Sequence, residues 1–175
     1  MALNYMNLDA STREFMKLEI EYDYDHDNFY TSNYLSPQGK KAWPALLSES
    51  VDFDDKWLEQ EIVKRGLLAQ FHTRRTPSGG TTQAKVPVTA AQTLAEGEFN
   101  RLYARGLCSR VAAEGGHSVE AYRARESLHP RPESQVIIGK KFLVRDVIQD
   151  LRTNPGVDSS LGVPPGPNSG ISVKI

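Results

Sequence analysis

Residues 89–116 read "TAAQTLAEGEFNRLYARGLCSRVAAEGG" and form the strongest helix pattern in the chain. Thr89 is typical of a helix N-cap, and the closing pair of glycines is typical of a helix end. Phe99, Leu102 and Gly106 recur at helical spacing and predict one buried stripe. Because glycine has no side chain, Gly106 predicts that another element approaches this stripe closely.

Three further helices are predicted before this segment. Residues 11–14 ("STRE") match a capping box, in which a serine hydroxyl and a glutamate carboxylate bond backbone N–H groups. Ser36 followed by Pro37 predicts the start of a second helix, which Pro44 should kink or restart. The third pattern begins with acidic residues and ends with basic ones before Gly66, as the helix dipole favours.

Strands are predicted between and after the helices. The stretches "LLAQFHTRR" and "TTQAKVPV" flank the turn "TPSGG" and predict a hairpin. Pro87 lies in the second strand, which is therefore expected at a sheet edge or to end there. "HSVEAYRARESL" predicts a third strand, and "RPESQVIIG" and "VRDVIQDLR" predict a short and a longer helix. These elements predict an α+β fold with N-terminal helices, a small, mostly antiparallel sheet with packed helices, and an extended C-terminal arm.

Composition divides the chain into three segments. Residues 1–66 form an acidic helical segment, residues 67–153 a basic α+β core, and residues 154–175 a Pro/Gly-rich arm. In the closing "ISVKI", Ile171, Val173 and Ile175 alternate with polar residues, which is strand periodicity. This strand either returns to its own sheet or adds to the sheet edge of a neighbouring subunit.

The net charge of −1 hides an uneven distribution of charge. Residues 1–61 hold 13 acidic and 5 basic side chains, whereas residues 62–175 hold 9 acidic and 16 basic ones. Such asymmetry favours contacts between acidic and basic surfaces, within one chain or between subunits, or contact with nucleic acid. The sequence leaves these three alternatives open.

Several classes of protein are disfavoured by the sequence. No apolar run approaches about 18 residues, and the N-terminus lacks the pattern of a secretory signal. Cys108 is the only cysteine, which excludes an internal disulfide. Its position inside the predicted helix indicates core packing rather than catalysis. The expected location is the cytoplasm, or a virion assembled there, and no membrane contact is expected.

No motif for catalysis or for a cofactor is present. The four histidines, His26, His72, His117 and His129, show no paired HExxH spacing, which argues against a zinc hydrolase. GxSxG, GxxxxGK[ST] and GxGxxG patterns are also absent. We therefore expect no catalytic residue, no metal ligand and no cofactor.

The stretch "EYDYDHDNFY" at residues 21–30 places Asp23, Asp25 and Asp27 at alternate positions. These match the first three ligand positions of an EF-hand loop, but Tyr34 stands where the bidentate glutamate is required. The stretch is therefore interpreted as a solvated or subunit-facing acidic surface. We expect Asp23, Asp25 and Asp27, together with Ile171, Val173 and Ile175, to contribute to a subunit interface.

Basic side chains suggest a second kind of partner. Lysine and arginine side chains on exposed turns and strands can bind the phosphate groups of nucleic acid. Arg101 and Arg105, four residues apart on the predicted helix, are instead expected to pair with carboxylates or carbonyls. The candidates for nucleic-acid contact are Arg74, Arg75, Arg123, Arg125, Lys140 and Lys141.

Four blocks of the sequence resemble a family of small uncharacterised bacterial and prophage-encoded proteins: "LDASTREFMKLEIE", "LAEGEFNRLYARGLCSR", "YRARESLHPRPESQVIIG" and "DLRTNPGVDSSLGVPPGPNSGISVKI". The blocks extend over nearly the whole chain. The resemblance implies no catalytic activity and assigns no catalytic residue. Together with the charge asymmetry and the arm, it predicts a non-enzymatic structural or assembly protein, a phage virion component that self-associates. The alternative is a nucleic-acid-binding or regulatory module.

Overall fold

A computed structural model describes residues 3–126, 132–155 and 170–175, and the α+β class is confirmed in them. The helices are α1 (Ala10–His26), α2 (Pro37–Ser50), α3 (Asp55–Lys64), α4 (Ala90–Ala113), α5 (Pro132–Ile137) and α6 (Val144–Thr153). The strands are β1 (Phe71–Arg75), β2 (Thr81–Lys85), β3 (Ser118–Arg123), β4 (Lys141–Leu143) and β5 (Ile171–Lys174).

Helix α4 lies at the centre of one hydrophobic core. Every residue from Arg101 to Cys108 is buried, and α1, α3 and α6 pack around the helix. The core extends from Met16 in α1 to Val173 in β5. The acidic segment, the basic segment and the C-terminal strand predicted from composition therefore share one core.

The close approach predicted at Gly106 is confirmed. A Cβ atom placed on Gly106 would lie 2.6 Å from Met16 Cγ and 2.9 Å from the Met16 backbone nitrogen. Helices α1 and α4 therefore pack with almost no space between them at this point.

Most predicted helix ends are confirmed, with two corrections. Ser36 caps α2 by accepting a hydrogen bond from the backbone N–H of Gly39, and Gly66 follows α3 at a φ of +63°. The predicted capping box at residues 11–14 was wrong, because α1 begins earlier and Asp9 accepts the hydrogen bond from Thr12 N–H. The restart predicted as one alternative at Pro44 was also wrong, since α2 continues through this residue.

The strands form two separate antiparallel sheets. Strands β1 and β2 pair as the predicted hairpin, with Thr73 opposite Gln83. The second sheet has the order β4-β3-β5, in which β5 pairs with β3 and places Val173 opposite Ala121. Strand β4 was not predicted, because three residues are too few to show a period of two.

Candidate functional site

The acidic stretch at the end of α1 divides into a buried part and an exposed part. Asp23 is completely buried, and its Oδ2 accepts a hydrogen bond of 2.8 Å from Arg105 Nη1. Asp25 and Asp27 are exposed. The expectation that Asp23 contacts another subunit was therefore wrong, because this carboxylate already neutralises a buried cation.

Asp23 belongs to a buried network that joins α1, α4 and α6. Arg105 Nε donates to Glu19 Oε2 at 2.8 Å, and Arg152 Nη2 donates to Glu19 Oε1 at 2.7 Å. Although burial raises the pKa of Glu19, hydrogen bonds and charge from Arg152 and Arg105 hold it below its usual value. The predicted internal pairing of Arg105 is confirmed, and these charges are paired with one another inside the fold.

Arg101 is also paired inside the fold. Its Nε donates to Glu98 Oε2 at 3.1 Å, and its Nη1 donates to the carbonyl of Leu151 at 3.1 Å. The pairing with a carboxylate and a carbonyl predicted for Arg101 is confirmed. Part of the charge asymmetry is thus neutralised inside one molecule, because Arg105 and Arg152 of the basic part pair with Glu19 and Asp23 of the acidic part.

The six candidate cations do not form one surface. Arg125 donates through Nη1 to both carboxylate oxygens of Glu96, and Arg123 Nη2 donates to Ser134 Oγ at 3.2 Å. These two arginines hold the end of β3 against α4 and α5. They are thereby committed to internal contacts, so their expected role in binding nucleic acid is withdrawn.

The remaining four cations are exposed and lie on two different elements. Lys140 and Lys141 lie beside and within β4, and Arg74 and Arg75 lie on β1. Within residues 3–126, 132–155 and 170–175, no carboxylate comes within salt-bridge distance of these four side chains. They are therefore available to an anionic partner.

The β1–β2 hairpin carries the more prominent of these surfaces. Its two strands are exposed along nearly their whole length, and only His72 and Ala84 are partly covered. At its base the His72 ring meets the Tyr34 ring edge-on, with ring centroids 4.8 Å apart. The hairpin is thus a projection attached to the core at its base, with both arginines near its turn.

The C-terminal strand contributes to its own sheet. Ile171 and Val173 are 2% and 0% exposed, so the expectation that they contact another subunit was wrong. Their carbonyls, which face away from β3, accept hydrogen bonds from Asn100 Nδ2 at 2.9 Å and Tyr103 Oη at 3.1 Å. Ile175 is 59% exposed, but its backbone N–H donates to Asn7 Oδ1. Side chains of this chain therefore cover the outer edge of β5.

One buried acid stands out by its chemistry. Asp55, at the start of α3, is 1% exposed, and its Oδ2 accepts a hydrogen bond of 3.0 Å from Leu3 N–H. Burial, together with the charge of Glu96, raises the pKa of Asp55 to about 6. Among the described residues, Asp55 Oδ1 and the hydroxyl of Tyr5 have no hydrogen-bond partner.

A buried carboxyl with a raised pKa beside a second carboxylate is an arrangement suited to proton transfer. Here, however, Glu96 is only 4% exposed and is bound by Arg125, so a substrate has no direct path to the pair. We interpret Asp55 as an anchor for the N-terminal segment. Sequence reasoning missed it because its apolar environment is set by residues distant in the chain.

Cys108 and the histidines complete the set of candidate groups. Cys108 is buried as predicted, and burial raises the pKa of its thiol to about 12. His26 and His117 are exposed, and His129 lies outside the described residues. Within the described ranges, no three His, Cys, Asp or Glu side chains are arranged to hold a metal ion, and no helix there could cross a membrane.

Comparisons with known proteins give no further indication of function. No protein-family model, no curated protein and no solved structure matches this chain.

Proposed function

We propose that this chain is a non-enzymatic assembly protein that associates with further copies of itself through surfaces of opposite charge. The hairpin of one copy contacts the acidic end of α1 in the next copy. The resemblance to prophage-encoded proteins implies a phage particle as the setting for this assembly.

The observation that carries this proposal is the hairpin that projects from the core. Arg74 and Arg75 are exposed on it and have no carboxylate within salt-bridge distance among the described residues. Two strands alone are marginally stable in water, so contact with a partner would stabilise this exposed hairpin.

The end of α1 offers a matching acidic surface. Asp25 and Asp27 are exposed, while the neighbouring Asp23 is used inside the fold. Charges of opposite sign on two separate elements favour association in which each copy contributes both surfaces. Such contacts speed association and select the partner, and salt weakens them.

The charge-swap experiment tests this pairing. In the first variant, Arg74→Glu and Arg75→Glu reverse the charge of the hairpin. In the second variant, Asp25→Lys reverses one charge at the end of α1, and Asp27→Asn removes the other. Asparagine is chosen at position 27 because it tolerates the left-handed φ of 48° found there. Each variant alone should have a lower mass by light scattering than the wild type, and an equimolar mixture should recover the wild-type mass because both contacts are again attractive.

Lys140→Glu with Lys141→Glu is the matched control. It reverses two exposed cations that lie away from the hairpin and should leave the association unchanged. A wild-type chain that stays monomeric at low salt and high concentration would contradict the proposed function, as would a mixture of the two reversed variants that does not associate.

The hairpin arginines also favour a second candidate function, the binding of nucleic acid. An exposed two-stranded ribbon with arginines near its turn has the charge and reach to contact phosphate groups. In that case the purified protein should carry an excess of absorbance at 260 nm that is removed by salt. Its affinity for a short duplex should fall in the Arg74→Glu, Arg75→Glu variant, whereas the helix-end variant should bind normally.

A further inference from the structure

The hairpin has two open edges whose backbone groups are defined by its hydrogen-bond pattern. Thr76 N–H donates to Gly80 O at 2.8 Å, and Val86 N–H donates to Gln70 O at 3.0 Å. Pairs alternate between bonded and non-bonded along an antiparallel ladder, so residues of odd number direct their N–H and C=O groups outward. The outward set is Phe71, Thr73 and Arg75 on β1, and Thr81, Gln83 and Lys85 on β2.

These outward groups contrast with the outer edge of β5. In β5, Asn100, Tyr103 and Asn7 cover the outward carbonyls and the terminal N–H. Within the described residues, the outward backbone groups of β1 and β2 make no backbone hydrogen bond to any other segment. The chain therefore closes one sheet edge with side chains and leaves the hairpin edges open.

We propose that β2 of one copy pairs antiparallel, edge to edge, with β2 of a second copy, so that two hairpins form one four-stranded sheet. A free two-stranded hairpin is marginally stable, and a third strand or a covering helix is needed to hold it. Neither contacts the hairpin in the described part of the chain, and a strand from a neighbouring molecule would supply this support. The inference deepens the proposed function and rests on it.

A second copy is the appropriate occupant because β2 is complementary to itself. Pairing about a two-fold axis at Gln83 places Gln83 opposite its own copy and Thr81 opposite Lys85 of the second copy. No like charges then face each other directly, and the β-branched threonines favour strand structure.

The other edge is a poorer choice for the same arrangement. Pairing β1 with itself about Thr73 would place Arg74 opposite His72 of the second copy and bring both arginines of each copy into one junction. That concentration of positive charge is unfavourable. With β2 at the centre, β1 stays on the outside and Arg74 and Arg75 remain available for acidic groups.

The two-fold pairing also specifies the assembly. Antiparallel strands place the turn of each hairpin beside the base of the other, and the same surface is used on both copies. Such an isologous contact closes on itself, so strand pairing alone gives a dimer, and the charged surfaces join that dimer to further copies.

Two proline variants separate the edges of the hairpin. Gln83→Pro removes an outward N–H from β2, and Thr73→Pro removes one from β1. Both variants also lose the same cross-strand hydrogen bond, from Gln83 Nε2 to Thr73 Oγ1 at 3.2 Å, so they are matched in their effect on the hairpin itself. By symmetry Gln83→Pro removes two intermolecular hydrogen bonds and should weaken the dimer about tenfold or more. Thr73→Pro should leave it near the wild-type strength.

Amide hydrogen exchange in the wild-type protein supplies a second measurement that needs no variant. As the concentration is raised through the association range, the N–H groups of Thr81, Gln83 and Lys85 should become protected, while those of Thr73 and Arg75 continue to exchange rapidly. Association without protection of the β2 amides would overturn strand pairing and leave the charge-mediated assembly standing. A protein that remains monomeric throughout would overturn both.

Discussion

Acid usually destabilises a folded protein because paired carboxylates become protonated, and the buried Asp55 has the opposite effect. Its pKa is about 6 in the folded chain and near the ordinary 3.8 when unfolded, because burial and Glu96 disfavour the carboxylate. The folded state therefore binds a proton that the unfolded state has lost, and this group stabilises the fold as the pH falls from 7 towards 4. Glu19, whose pKa is lowered, contributes in the opposite direction over the acid range.

Asp55→Asn should therefore stabilise the protein at neutral pH. The amide keeps an oxygen that accepts from Leu3 N–H and removes the buried charge, which is worth about 1–3 kcal/mol for a shift of this size. Urea unfolding at pH 7.5 and at pH 4.5 measures the effect, and the gain should shrink at the lower pH.

Asp54→Asn is the control for this prediction. Asp54 caps α3 by accepting from Trp57 N–H, and asparagine caps a helix about equally well, so this variant should show little change at either pH. A destabilised Asp55→Asn protein at pH 7.5 would show that the carboxylate is the favoured form.

Residue types alone misplaced the buried face of α1. Phe15, Leu18 and Tyr22 are apolar or aromatic and lie at helical spacing, as a buried stripe would. Leu18 is nevertheless 53% exposed, and Glu19 and Asp23 are buried. A signal was present, since the acids at 19 and 23 and the arginines at 101 and 105 share the same spacing of four. Only the packing of α1 against α4 shows that these two pairs meet.

The contact between α1 and α4 depends on one glycine of α4 and not on another. Gly106 lies against Met16, where a Cβ would come within 2.6 Å, whereas a Cβ on Gly97 would meet nothing within 4 Å. A side chain is therefore sterically excluded at Gly106 but tolerated at Gly97, so substitution at Gly97 is the control for substitution at Gly106.

Gly106→Ala should destabilise the protein, because α1 must move to accommodate the methyl group. A loss of about 1–3 kcal/mol is expected for this kind of overpacking. Gly97→Ala should instead stabilise it by about 0.5–1 kcal/mol, since alanine is the better helix former. Thermal unfolding of both variants checks the pair; equal effects would mean that the helices do not approach as closely as described.

Elements with a clear period were predictable, and the shortest ones were not. Helices α2, α3, α4 and α6 and the hairpin follow from spacing, caps and turn residues, which act over a few neighbours in the chain. Strand β4 exists because Val119 pairs with Phe142 across the sheet, a contact between residues far apart in sequence.

At the scale of the whole molecule, the two ends of the described chain are held together. Tyr103 donates to the Val173 carbonyl and accepts from Asn7 N–H at 3.2 Å, so one hydroxyl joins the N-terminal segment to β5. Asn7 Oδ1 in turn accepts from Ile175 N–H at 3.0 Å. The C-terminal strand thus belongs to the fold itself rather than to a separate latch.

The two outer isoleucines of the C-terminal "ISVKI" should therefore respond differently to substitution. Ile171→Ala removes a buried side chain and should cost about 2–5 kcal/mol, whereas the same change at the exposed Ile175 should stay within about 0.5 kcal/mol. Denaturant unfolding measures both. If Ile171→Ala changed only the oligomeric mass and left stability unaltered, β5 would have to pair between molecules.

The α+β class, the central helix, the hairpin and the strand character of the C-terminus could be predicted from the sequence, because they follow from local periodicity, caps and turns. The exposure of most charges depends on the tertiary structure: Glu19, Asp23, Arg101, Arg105 and Arg125 are used inside the fold, while Asp25, Asp27, Arg74 and Arg75 stay at the surface. Burial and pairing depend on residues brought together across the whole chain. Spacing on the central helix indicated the internal pairing of Arg101 and Arg105. Neither the sign nor the spacing of Glu19, Asp23 and Arg125 could show that these charges are also used inside the fold.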